Sequence, residues 1–236
     1  NNFSIKRFFS SFVDTLKKLR TIIRWVIWTI AGLYITTIVL LHIPAVQASL
    51  AHKVADIAGG KLGTEVHVGR IDLGFINRFV LDDILIYDQS HKKMLSASRI
   101  GARVDIWHLL RTGEINISSA QIFGLKAELY KTSKDAKPNF QFALDSLASK
   151  DTTSHTPLHL SINSLVIRHG SIKYDCMDAP TTPNRLNLNH INLSNISSYL
   201  ILRKLDDTSV WADLRALSFK EAAGLEVKQL AFRLKA

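Results

Sequence analysis

Nine histidines, one cysteine and two adjacent carboxylate pairs are the side chains of this sequence with the chemistry to hold a metal or move a proton. His155 and His159 have a four-residue spacing, but Pro157 between them breaks a helix, so they need not share a face. No carboxylate or cysteine stands at a metal-like interval from them, and a surface role is expected. Asp82-Asp83 and Asp206-Asp207 are neighbours in sequence only. On a strand, neighbours point to opposite faces, so neither pair forms an acid/base dyad by itself, and turn or edge positions are expected for both. Cys176 excludes an intrachain disulfide or a thiolate-rich metal site. Its neighbours Asp175 and Asp178 raise rather than lower a thiol pKa. Gly59-Gly60-Lys61-Leu62-Gly63 lacks the spacing of a phosphate loop and suits a helix stop. With no nucleophile elbow either, the expectation is a protein that is not an enzyme and carries no metal or cofactor.

With 47% hydrophobic and 21% charged residues, the chain is ordinary for a folded protein, and 236 residues suit one large domain or two small ones. Its formal charge of +10 is unevenly placed. Lys6, Arg7, Lys17, Lys18, Arg20 and Arg24 stand against Asp14 alone, so half of the excess lies in residues 1–24. The mild excess elsewhere makes no case for nucleic acid. From Trp25 to Ile43 come nineteen residues without a formal charge, fourteen of them hydrophobic. As a helix they cover about 28 Å, close to the hydrocarbon thickness of a bilayer. A transmembrane helix over 25–43 is therefore expected, with Trp25, Trp28, Leu33, Tyr34, Leu40 and Leu41 as anchoring side chains. The basic flank places the N-terminus in the cytoplasm and the rest across the membrane. A cleaved signal peptide is the competing reading, with Val46-Gln47-Ala48 as its processing site, but the apolar run exceeds the usual signal core of about 7–15 residues. Upstream, Ile5, Phe8, Phe12, Leu16, Leu19 and Ile23 form a helical stripe. It fits either a basic amphipathic helix lying on anionic headgroups or a plain extension of the spanning helix.

Beyond Pro44, Leu50, Val54, Ile57 and Ala58 keep helical spacing and predict a membrane-proximal helix over 44–63, stopped at Gly59-Gly60. From Thr64 the period changes to two and strands dominate 64–236. Ile115 and Ile117 alternate with polar neighbours, as do Leu158, Leu160 and Ile162, and then Leu186 and Leu188 with a bulge near His190-Ile191. Gly124 marks a hairpin or a bend in a long strand, and Asn139 is a candidate cap for a short helix bearing Phe140, Leu144 and Leu147. About ten strands without long crossover helices predict a mostly β fold built on an antiparallel meander or open sheet with short helices. Its apolar face either packs on a second sheet, as in a sandwich, or lines an open groove that meets lipid. The seven alternating residues just named, Ile115 to Leu188, are the candidate groove lining.

Once anchor and strands are placed, the order of patterns resembles the AsmA-like superfamily, most closely the N-terminal region of its TamB branch. The resemblance runs over roughly residues 20–176. It is carried by Val66-His67-Val68-Gly69-Arg70-Ile71 leading into Val80-Leu81-Asp82-Asp83-Ile84-Leu85-Ile86-Tyr87-Asp88, then Leu95-Ser96-Ala97, Ile115-Asn116-Ile117, Leu129-Tyr130 with Asn139-Phe140, and Leu165 to Ile172. It implies a curved β-groove anchored in a bacterial inner membrane, with the bulk of the chain in the periplasm. The implied roles are carrying phospholipid toward the outer membrane, or assisting outer-membrane protein assembly with an Omp85-type barrel partner engaged through a C-terminal region not present here. Beginning at Asn1 and ending directly after a strand pattern, the sequence reads as part of a longer protein or as a short relative. An assembly scaffold with a closed β-fold is the alternative.

Overall fold

The computed structural model describes residues 2–74, 77–105, 107, 108, 111, 116–148, 161–182, 185–206 and 209–235. The chain divides into two compact units, Asn1–Val46 and Gln47–Ala236.

Helix α1 runs unbroken over Asn2–Leu41, 40 residues or about 60 Å. The basic N-terminal segment is helical and continuous with the apolar stretch that follows it. Its apolar stretch, Lys18–Leu41, is long and apolar enough to cross a membrane. The helix stops before Ile43 because the residue preceding a proline is disfavoured in helical conformation, and Pro44 follows. Proline is tolerated in a first helical turn, and α2 starts there, covering Pro44–Leu62. Val46-Gln47-Ala48 lie within it. The stop is not at Gly59-Gly60, which are helical; Gly63, with φ +68°, ends the helix. The Gly63 and Thr64 N–H groups both donate to the Gly59 carbonyl, at 2.8 and 3.2 Å.

Among the described residues ten strands follow, all in one sheet. They are β1 Val66–Leu73, β2 Arg78–Tyr87, β3 Lys93–Val104, β4 Asn116–Phe123, β5 Lys126–Lys131, β6 Ser161–Ile162, β7 Ser164–Cys176, β8 His190–Asp206, β9 Ser209–Glu221 and β10 Glu226–Lys235, with helix α3, Gln141–Ala148, between β5 and β6. The spatial order is β1-β2-β3-β4-β7-β8-β9-β10, with β5 beside β3 and β7, and β6 beside β4. Fold class is therefore as the periodicity predicts: mostly β, an N-terminal apolar helix, one sheet and short helices. Its antiparallel character needs correcting, because β4 and β5 both pair parallel to β7. A parallel pair needs a crossover of a dozen residues or more. Residues 132–163, containing α3, supply it, although the sequence there shows no long helical period.

Gly124, at φ +63°, bends the chain between β4 and β5, which do not pair with each other but run on as one bent strand between β3 and β7. Asn139 does not cap α3. Its side chain accepts from the Tyr130 N–H at 3.0 Å and donates to the Glu128 carbonyl at 3.1 Å, acting as a strand partner along β5. Asp82 and Asp83 are neither in a turn nor at an edge but inside β2, flanked by β1 and β3. Asp206 ends β8 opposite Ser209; Asp207 lies outside the described residues. Leu186 to Asn189 form a turn, not a strand. The Asn187 side chain accepts from the Asn189 N–H at 3.0 Å, and the Asn187 carbonyl accepts from His190 at 2.9 Å. Such local bonds compete with the strand ladder. The bulge predicted at His190-Ile191 sits instead at Asn195.

Candidate functional site

On the strands, hydrophobic residues alternate as expected; the register decides what those residues meet. Cross-strand partners share a face of the sheet, and reading the partners from strand to strand yields continuous rows. Leu73, Phe79, Ala102, Ala120, Leu165, Leu200, Leu214 and Phe232 are successive partners from β1 to β10. Every one is apolar. The parallel row two residues away is Ile71, Leu81, Ile100, Ile122, Ile167, Ser198, Leu217 and Leu230, broken only by Ser198. At about 4.8 Å per strand, each row runs roughly 34 Å. A shorter pair, Val104 and Ile117, continues the face across β3 and β4.

A third long row lies toward the other strand ends: Val66, Ile86, Leu95, Ala127, Ile172, Leu193 and Glu221. Strict alternation would send Val66 and Val68 to one face and Ile71 and Leu73 to the other. Yet Val68 and Ile71 share one buried cluster with Ala51 and Ala55, and Val66 and Leu73 pack against it. A transverse crease reconciles the two. Asp83 in β2, His169 in β7 and Asn195 in β8 all have φ between 53° and 56°, and Gly124 supplies the left-handed residue between β4 and β5. Aspartate, asparagine and histidine tolerate that conformation better than most residues. The line is continuous: Asp83 stands between Gly69 and Ser98, a Cβ on Gly124 would meet Ser98 Oγ at 2.5 Å, and the Gly124 N–H donates to the Arg168 carbonyl at 3.0 Å. Where the phase of alternation switches, the same face stays apolar on both sides.

The opposite face at the crease is charged. Asp82 accepts from Arg70 at 2.8 Å and from Arg99 at 2.6 Å. The Arg99 hydrogen bond, with that of Arg70, outweighs partial burial and holds the Asp82 carboxyl below the usual carboxylate range. This pair of arginines explains a carboxylate in mid-strand.

At the β2–β3 turn, Asp88 is 2% exposed and accepts from the Ser90 and Lys92 N–H groups and the Tyr130 hydroxyl. Beside it lies a cavity of about 430 Å³ bordered by Ser90, Lys131, Lys137, Gln141 and Phe142. Cys176 is fully buried, and its thiol donates to Asp178 at 3.1 Å. That hydrogen bond, together with burial, pushes the thiol up. His190 lies between Asp175 Oδ1 at 3.2 Å and the Ala179 carbonyl at 3.0 Å. Among the described residues, no group of three or more His, Cys, Asp or Glu side chains could hold a metal; His155 and His159 lie outside them.

Trp25, Trp28, Leu33, Tyr34, Leu40 and Leu41 all fall on the apolar stretch of α1, and both tryptophans are well exposed. Thr29 and Thr37 donate to the carbonyls four residues back, at 2.9 Å each, so their hydroxyls are satisfied within the helix. Of the predicted groove lining, Ile117 is half-buried on β4 and shares the face of the rows, and Ile162 has its backbone in β6. Ile115, Leu158 and Leu160 lie outside the described residues. Leu186 and Leu188 are exposed in the turn before β8. The sequence reading missed the main rows because each strand shows its own apolar phase, while only the register shows that these phases join.

No protein-family model matches this chain, and no curated protein matches it.

Proposed function

We propose that the chain is an inner-membrane-anchored protein of bacterial envelope biogenesis, whose sheet carries the acyl chains of phospholipid on its apolar face. The carrying observation is the pair of rows crossing all eight strands on the main path, from Leu73 to Phe232 and from Ile71 to Leu230, on a sheet whose β1 and β10 each have a single neighbour. Among the described residues β1 and β10 do not pair, so the sheet is not closed into a barrel. All the described strands lie in this one sheet, so no second sheet covers the rows among the described residues. Leu230, Phe232 and Leu234 are 43%, 53% and 48% exposed. A continuous apolar surface of this extent marks an interaction site, and a chain that also carries a spanning helix has lipid at hand. The resemblance to the AsmA-like superfamily supports the same reading, with transfer toward the outer membrane and an Omp85-type barrel as further partner.

In-cell photocrosslinking tests it. A photoreactive residue at Ile122 or Ile167, on the apolar face, should yield phospholipid adducts, whereas one at Gln121 or Val166, on the opposite face, should not. Equal yields from the two faces, or none from either, would refute the assignment. The second reading, an assembly scaffold, draws on the exposed apolar side chains of β10, which a client protein could meet. It would be favoured by crosslinks from Ala231 to outer-membrane barrel precursors with no lipid at Ile167.

A further inference from the structure

The apolar rows are not equally available along their length. At β1 and β2 they are occupied by the chain itself. Ala51 and Ala55 of α2, 1% and 6% exposed, form one buried cluster with Val68 and Ile71, both 4% exposed, and Leu50, Leu73 and Leu81 pack around it. The side chains of α2 in that cluster are both alanines, small enough to allow a close approach. The buried cluster that α2 forms holds no residue from β4 to β10.

We infer that α2 is the closed end of the lipid seat: it fills the rows at β1 and β2, so acyl chains are held only from β3 onward. The inference rests on the acyl-carrying reading above and adds its boundary. From β3 to β10 the path is six strands, or roughly 24 Å at about 4.8 Å per step. An acyl chain spans about 15 Å, half of a bilayer's hydrocarbon core. The open stretch therefore holds one chain lengthwise across the strands, and the two neighbouring rows, about 7 Å apart, lie side by side like the two tails of a diacyl lipid. Exposure in one row runs from Ile71 at 4% to Leu230 at 43%, while in its neighbour Ala120 and Leu214 stay buried at 7% and 9%.

The test is a photocrosslinking series along one row in the full-length protein in cells, with the probe at Leu81, under α2, and at Ile122, Ile167 and Leu230, beyond it. Lipid adducts should be at least tenfold more abundant at the three outer positions than at Leu81. A second variant, Ala55→Asp, which unseats α2 by placing a carboxylate against Val68 and Ile71, should raise the Leu81 yield toward that of Ile122 and leave the Ile122 yield unchanged. Equal adducts at Leu81 and Ile167 in the otherwise native chain would overturn the closed end while leaving the lipid reading intact. Absence of lipid at all four positions would overturn both. Should Ala55→Asp fail to accumulate, the native-chain series alone decides.

Discussion

Removing the Asp88 carboxylate should expose how much of the sheet depends on one buried charge. Asp88 Oδ1 accepts from the Ser90 N–H at 2.8 Å and the Lys92 N–H at 3.0 Å, closing the β2–β3 turn. Its Oδ2 accepts from the Tyr130 hydroxyl of β5 at 2.8 Å, with a longer approach from Asn139 Nδ2 at 3.5 Å. Hydrogen bonds to a charged group contribute about 1.5–3 kcal/mol each and are not additive. Asp88→Ala leaves two backbone donors and a phenol without their acceptor, and water admitted from the adjoining cavity recovers part of the loss, so a cost of about 3–4 kcal/mol is expected. Asp88→Asn keeps both turn bonds but sets its amide against that of Asn139, for a cost of about 1–2 kcal/mol. In a double-mutant cycle, Asp88→Asn and Tyr130→Phe should couple by about 1 kcal/mol.

The pH dependence follows from the same contacts. Burial pushes the Asp88 carboxyl up, but the Lys92 N–H, the Tyr130 hydroxyl and the Ser90 N–H outweigh it and hold the group below its ordinary 3.8. A depressed folded pKa gives stability that is present above the unfolded value and lost as pH falls through the folded one. The gap between wild type and Asp88→Asn should thus be constant from about pH 5 to 8 and close below about pH 4. Urea unfolding of the full-length protein in detergent micelles, followed by pulse proteolysis, measures it. A cost for Asp88→Ala below about 1 kcal/mol, or a gap that persists at low pH, would refute the reasoning.

Gly124→Ala should cost about 2–4 kcal/mol, combining a left-handed backbone penalty of about 1–2 kcal/mol with the approach of the new Cβ to Ser98 Oγ. Adding Ser98→Ala should return the steric part alone, and full recovery in the same urea titration would disprove the backbone share. Asn195→Gly should be neutral or stabilise by up to about 1 kcal/mol, whereas Asn195→Val should destabilise by about 1–3 kcal/mol; similar midpoints for the two would show that the crease is not strained there. Partial burial pushes Asp175 up, but Lys173 and His190 outweigh it and keep it low. Because the Asp175 side chain is 33% exposed, Asp175→Asn should cost under about 1 kcal/mol at neutral pH. That difference should fade as pH falls below the usual carboxylate range, and a difference that grows on acidification would be the wrong sign.

The sequence by itself determined the elements. An uncharged run of apolar residues can satisfy its backbone in a bilayer only as a helix, so Trp25 to Leu41 could be read without a structure. Period-two alternation marked the chain from Thr64 onward as dominated by strands, because a half-buried strand imposes that period on its side chains. Local bonding misled the reading where it competes with the ladder. Asn187 folds its own segment into a turn, and Asn139 pairs along a strand instead of capping a helix. What only tertiary structure decided is how the strands meet. The crossover through 132–163 makes β7 parallel to β4 and β5, and nothing in a local window specifies a partner that distant. Register likewise joins eight separate apolar phases into one face. The crease holds that face together where Asp83, His169 and Asn195 turn left-handed, a conformation each tolerates and none announces. Asp82 and Asp83 show the difference most plainly. As neighbours in a sequence they read as surface punctuation, but one is held by two arginines from adjacent strands and the other turns the sheet.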